Sequence, residues 1–167
     1  MTVRSCLILL QAFLLVGSLN TATHADDEWQ TLFDGETLDG WDGDPRLWSV
    51  EDGAITGKTS EENKLKHNSF IIWRGGELDN FELELEYRIL NVDPSLNKAN
   101  SGIQYRSFEV PDKQWSIGGY QADFEAGDTY SGILYGERFR GILVERGQLT
   151  ELTRQDGKFK KTVIRPV

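Results

Sequence analysis

Between Ser101 and Glu137 the chain sets hydrogen-bonding and ionisable residues on alternate positions of short segments. In SGIQYRS, Gln104 and Arg106 share one side while Ile103 and Tyr105 share the other. In GYQADFE, Gln121, Asp123 and Glu125 oppose Tyr120, Ala122 and Phe124. NFELELEYRIL sets Glu82, Glu84, Glu86 and Arg88 against Phe81, Leu83, Leu85, Tyr87 and Ile89. A period of two is how a strand writes two different faces. If these segments are neighbours in one sheet, Glu84, Glu86, Arg88, Gln104, Arg106, Gln121 and Asp123 form one polar patch. Such a patch suits a sugar: amides, carboxylates and guanidinium meet the hydroxyls, and Tyr130, Tyr135 or Trp115 can stack on the apolar ring face. The same alternation also describes a solvated sheet face with cross-strand ion pairs. On pattern alone this plainer reading leads.

On the polar side of NFELELEYRIL, Glu82, Glu84 and Glu86 lie two residues apart, about 6.5–7 Å along a strand. That separation fits paired carboxylates in glycoside cleavage, although three unpaired carboxylates repel one another. Glu86 is the best placed, with Arg88 following on its side. Asp123, Glu125 and Asp128 could offer oxygens to a divalent cation, but the EF-hand spacing is absent. No cofactor and no metal ligand set is expected. His67, in LKHNSF, reads as an exposed loop residue. Gly118-Gly119 is too short for a phosphate loop and reads as a tight entry to a strand.

The elements that must position these residues are short strands punctuated by turns. LWSVEDGAITGK predicts a hairpin with an Asp52-Gly53 turn. Phe70 to Trp73 predicts a short strand, Phe81 to Leu90 a long one, Asn91 to Asn100 a loop, and Thr162 to Arg165 a last weak strand. No long amphipathic helix or repeat is present. Strands at this spacing predict an all-β chain arranged as a β-sandwich.

The first 25 residues read differently. Arg4, an apolar run from Leu7 to Val16 and Thr23-His24-Ala25 predict a secretory signal peptide cleaved after Ala25, leaving residues 26–167 as a single domain. A membrane span needs about 20 apolar residues, so no stable span is expected after cleavage, and the protein is expected in the periplasm or secreted. Cys6 and His24 lie in this leader. The remainder therefore has no disulfide, no thiolate metal site and too few imidazoles for a two-histidine centre. All 27 acidic residues and 17 of the 18 basic ones follow residue 25, a net charge of −10. That balance disfavours nucleic acid, whose phosphates need a basic face, and suits a neutral ligand.

Taken together, LFDGETLDGW, WSVEDGAITG, NFELELEYRI, NSGIQYRS and GYQADFEAGDTYSGILYGERFRGIL resemble, in order from Trp29 to Gln148, the 3-keto-disaccharide hydrolase domain family. The resemblance implies a concanavalin A-like jelly roll of two antiparallel sheets and a carbohydrate ligand. It also implies cleavage of glycosides whose sugar carries a C3 ketone: C2 deprotonation, elimination of the C1 oxygen, then hydration. On the family's motif positions, Asp123 is expected to be the base or a metal ligand and Arg106 the oxyanion stabiliser. Gln121 and Glu86 are expected to hold the sugar directly or through a neighbour, with Glu137 and Arg138 bordering the cleft. Family members continue with further strands beyond the position of Gln148, so the resemblance implies that C-terminal strands are lacking. A carbohydrate-binding module without chemistry and an inactive truncated remnant stay open beside the hydrolase.

Overall fold

The computed structural model describes residues 2–5, 29–92 and 98–166. The apolar run and cleavage point of the expected leader, and Pro94 of the expected loop, lie outside the described residues. The described residues form thirteen strands, all antiparallel where paired, and no helix. None of their segments is a helix long and apolar enough to cross a membrane. The all-β antiparallel architecture is the expected one and is consistent with a β-sandwich, with the hydrogen bonding divided among five sheets.

The chain splits into two compact units. The first comprises residues 1–65 and 71–86. Its strands are β1 (Thr2–Ser5), β2 (Gln30–Thr31), β3 (Trp41–Asp42), β4 (Trp48–Glu51), β5 (Ala54–Gly57), β6 (Ile72–Trp73) and β7 (Phe81–Glu84). β4 and β5 are the expected hairpin, paired from Trp48↔Gly57 to Glu51↔Ala54. Asp52 and Gly53 both take positive φ, 50° and 75°, as a type I′ turn requires. Leu32 is buried, and its carbonyl accepts the Trp41 indole N–H at 2.9 Å.

Two expectations for the Phe81–Leu90 segment are corrected here. Ladder pairing stops at Glu84, although half-buried and exposed residues go on alternating to Glu86. Its partner is β1, with Thr2↔Glu84 through Ser5↔Phe81, and the sheet runs β2-β1-β7. β7 therefore does not extend the sheet that contains Gln104 and Asp123. Glu84 and Glu86 belong to the first unit.

The second unit comprises residues 66–70 and 87–167. β8 (Asn100–Glu109), β9 (Ile117–Glu125), β10 (Leu134–Glu137) and β11 (Gly141–Val144) form one sheet in the order β11-β10-β9-β8. Ile117, Ile133 and Leu143 are its buried apolar side chains. β12 (Gln148–Gln155) and β13 (Lys158–Pro166) make a separate ribbon, turned by Asp156 and Gly157 with φ of 50° and 74°. The expected last strand is thus one arm of a longer hairpin whose other arm the sequence reading leaves out.

Candidate active site

Register across the four-stranded sheet decides which side chains share a face. β8 pairs with β9 as Asn100↔Glu125, Gly102↔Asp123 and Gln104↔Gln121. β10 continues the rows with Tyr135↔Gln121 and Glu137↔Gly119. One face therefore carries Asn100, Gln104, Gln121, Asp123, Glu125, Tyr135 and Glu137. The sequence reading placed Gln104, Gln121 and Asp123 together, and the pairing sets them there. Ile103, Tyr105, Tyr120, Ala122, Phe124 and Leu134 share the opposite face.

Alternation fails at Arg106. Tyr105 faces Tyr120, but Phe108 already faces Gly118, so Arg106 and Ser107 both stand opposite Gly119. This is a β-bulge, two residues against one, and Arg106 takes a φ of +48°. Gly119 has a φ of +148°, and a Cβ there would come 2.9 Å from the Ser107 Cα and 3.0 Å from the Arg106 carbonyl oxygen. Only glycine accommodates that approach. Arg106 is exposed at the end of the polar rows and does not simply continue the Gln104 side.

Asp123 is 8% exposed. Burial raises its pKa above the ordinary carboxylate range, and the Glu125 charge adds to that. Hydrogen bonds from the Asn100 and Gln121 side chains and the Phe124 amide pull the other way. Asn100 Nδ2 donates to Asp123 Oδ1 at 3.2 Å. Burial winning over these bonds leaves a carboxylate that takes a proton more readily than a solvated one. Beside it, the Gln121 side chain lies over Gly102, where a Cβ would meet Gln121 Cγ at 2.6 Å and the Ala122 carbonyl oxygen at 2.8 Å. Both amide atoms of Gln104 are buried without a hydrogen-bond partner. A buried primary amide left in that state costs about 1–3 kcal/mol, and a hydroxyl-bearing ligand would relieve it.

At the other end of the face, Glu137 is buried and held on both oxygens. Asn68 Nδ2 donates to Oε2 at 3.0 Å, and Arg138 Nε lies 3.3 Å from Oε1. Arg138, at a φ of +65°, also donates through Nη2 to the buried Ser116 hydroxyl at 3.1 Å. Tyr135 is half-buried in the row of Gln121. Of the expected site residues, the sheet gathers Gln104, Gln121, Asp123, Tyr135 and Glu137, with Arg106 and Arg138 at its ends. Sequence reasoning left out Asn68 and Asn100, both of which sit in segments taken for loops. Only cross-strand register reveals Asn100.

The family described as the 3-keto-alpha-glucoside-1,2-lyase-like domain matches residues 28–165. The chain belongs to this family. It is also 34% identical over 98 residues to a protein of Bacteroides thetaiotaomicron named 3-keto-disaccharide hydrolase. That alignment spans 52% of this chain and 30% of the relative, so the chain covers under a third of that protein's length. No solved structure matches. The 3-keto-alpha-glucoside-1,2-lyase-like match takes in both units and every strand from β2 to β12, so the polar face of β8–β10 lies well inside it.

Proposed function

We propose that the chain is an exported carbohydrate-active enzyme that cleaves 3-keto-glycosides by elimination and hydration. Asp123 carries this reading: a buried carboxylate with a raised pKa, on a face of amides, in a chain of this family. Asp123 removes the C2 proton, which the C3 ketone has acidified, and the electron pair passes into an enolate with charge on the C3 oxygen. Arg106 is assigned to that charge. The enolate then re-forms the ketone, C1=C2 forms, and the C1–O bond breaks, the departing oxygen taking up the proton that Asp123 removed and so returning the carboxylate. Addition of water at C1, with return of a proton to C2, completes hydrolysis. Gln104 and Gln121 bind ring hydroxyls, while Tyr135, Glu137 and Arg138 border the cleft. Glu86, which follows β7 outside the β8–β11 ladder, is given no step in this scheme. The leader-like sequence of residues 1–25 supports export to the periplasm or medium.

The test is turnover of a 3-keto-disaccharide by the wild type and by Asp123→Asn. The variant should lose about 10²–10⁴-fold in kcat/KM, the range for a general base. The wild-type kcat/KM should climb with pH through a pKa above the usual carboxylate value, because the base works only when ionised. Turnover by Asp123→Asn at the wild-type rate, or no turnover by the folded wild type, would sink the reading.

A further inference from the structure

β9 and β10 are hairpin neighbours, yet the chain between them runs from Ala126 to Ile133. Hairpin connections usually need about two to five residues. The extra chain is stitched to two residues. Glu125 Oε1 accepts the amides of Thr129 and Tyr130 at 2.5 and 2.6 Å. The Ser131 hydroxyl accepts the Glu125 amide at 3.0 Å and donates to the Glu125 carbonyl at 3.2 Å. Gly132 then donates its amide to the Asp123 carbonyl at 3.0 Å, and the Asp123 amide donates to Ile133 at 3.2 Å.

Glu125 is itself buried. A buried carboxylate costs stability unless it is well bonded, and its bonds here go to loop amides. Two residues further back on the same face stands Asp123. The loop it gathers also carries Tyr130, whose ring is exposed.

We propose that Glu125 is a positioning residue for Asp123: its carboxylate fastens the 126–132 loop against the Asp123 backbone, fixing the base's seat. The assignment rests on the function proposed above for Asp123. Besides Glu125, the groups that face Asp123 are Asn100 from β8 and Gln121 from β9. The Glu125 charge also works on Asp123 directly, in the same direction as burial. Lys98, 3.7 Å from Asp128, also approaches this cluster: a Cβ added at Gly127 would meet both Lys98 Cδ, at 2.9 Å, and Glu125 Oε1, at 3.1 Å.

Glu125→Gln keeps an oxygen that can accept the two amides but removes the charge, whereas Glu125→Ala removes both. With no substrate present, hydrogen exchange at the Thr129 and Tyr130 amides should accelerate about tenfold or more in Glu125→Ala and stay near wild type in Glu125→Gln. Unchanged exchange in a folded Glu125→Ala would overturn the assignment. In Glu125→Gln, the titration of Asp123 followed by carboxyl NMR, and the acid limb of kcat/KM, should both move to lower pH. A fixed titration accompanied only by a lower Tm would show a plain structural role and overturn it equally. Should Glu125→Ala fail to fold, Glu125→Asp, which keeps the charge but draws the oxygen back from the two amides, should show the same faster exchange, and unchanged exchange there would overturn the assignment. Exchange and titration need no turnover, so they judge Glu125 even if 3-keto-disaccharides prove inert.

Discussion

The two faces of the β8–β11 sheet invert the usual division of labour. Gln121, Asp123, Glu125 and Glu137 on the polar face are only 5–8% exposed. The other face holds a chain of rings: Tyr87 stacked on Phe124 with centroids 4.0 Å apart, Tyr105 on Tyr120 at 5.7 Å, and Phe139 edge-on to Tyr120 at 5.5 Å. Arg140 lies over this cluster and donates to the Tyr120 hydroxyl at 2.8 Å. Yet Tyr87, Phe108 and Phe139 remain 59%, 52% and 43% exposed. Burying amides and carboxylates is unfavourable unless each finds a partner, while burying rings is favourable. The three carboxylates and Gln121 have partners, but the Gln104 amide on the same face has none, and a ligand site is where such local conflict is expected.

This contrast can be broken at graded points. Gly119→Val would drive a side chain into the bulge backbone and cost about 3 kcal/mol or more; chemical denaturation measures it. Gly141→Ala is the control. Its φ is also positive, at +66°, but nothing lies within 4 Å of the added methyl, so about 1 kcal/mol is expected. Gln104→Leu removes the unpartnered amide and should stabilise the fold by about 1 kcal/mol while raising KM for a 3-keto-disaccharide.

Asp123→Asn should also stabilise, but in a pH-dependent way. A carboxyl whose folded pKa is raised binds its proton more tightly in the native state. That contribution is present below the unfolded pKa of about 3.9 and is lost as pH climbs through the raised value. The variant should therefore melt above wild type at pH 7, with the gap closing near pH 4. The smallest effect belongs to the aromatic face: Tyr87→Ala should cost about 1 kcal/mol or less and leave kcat/KM unchanged.

How much of this could be read beforehand follows from where the chain keeps a strict period. Gln121, Asp123 and Glu125 fell on one side because β9 is regular from Tyr120 onward, and the Asp52-Gly53 turn announced its hairpin by residue type alone. Arg106 was misplaced because an extra residue in a bulge leaves no mark in its own strand; the only hint is the Gly118-Gly119 pair opposite. β12 was missed because Leu149 and Leu152, three apart, fall on opposite faces of a ribbon and never alternate. Glu86 was assigned through a neighbour relation between strands, and no local pattern encodes which strands become neighbours. The neighbour β7 takes is β1, from the segment read as a leader.

The order β11-β10-β9-β8 has a kinetic consequence. Every pairing in that sheet joins strands adjacent in the chain, so each forms by closing a short loop, and no distant segment has to be found first. Asn100, Gln104, Gln121, Asp123 and Tyr135 are thus brought together by consecutive local zippering. Placing new chain ends anywhere outside residues 100–144 leaves that assembly order intact.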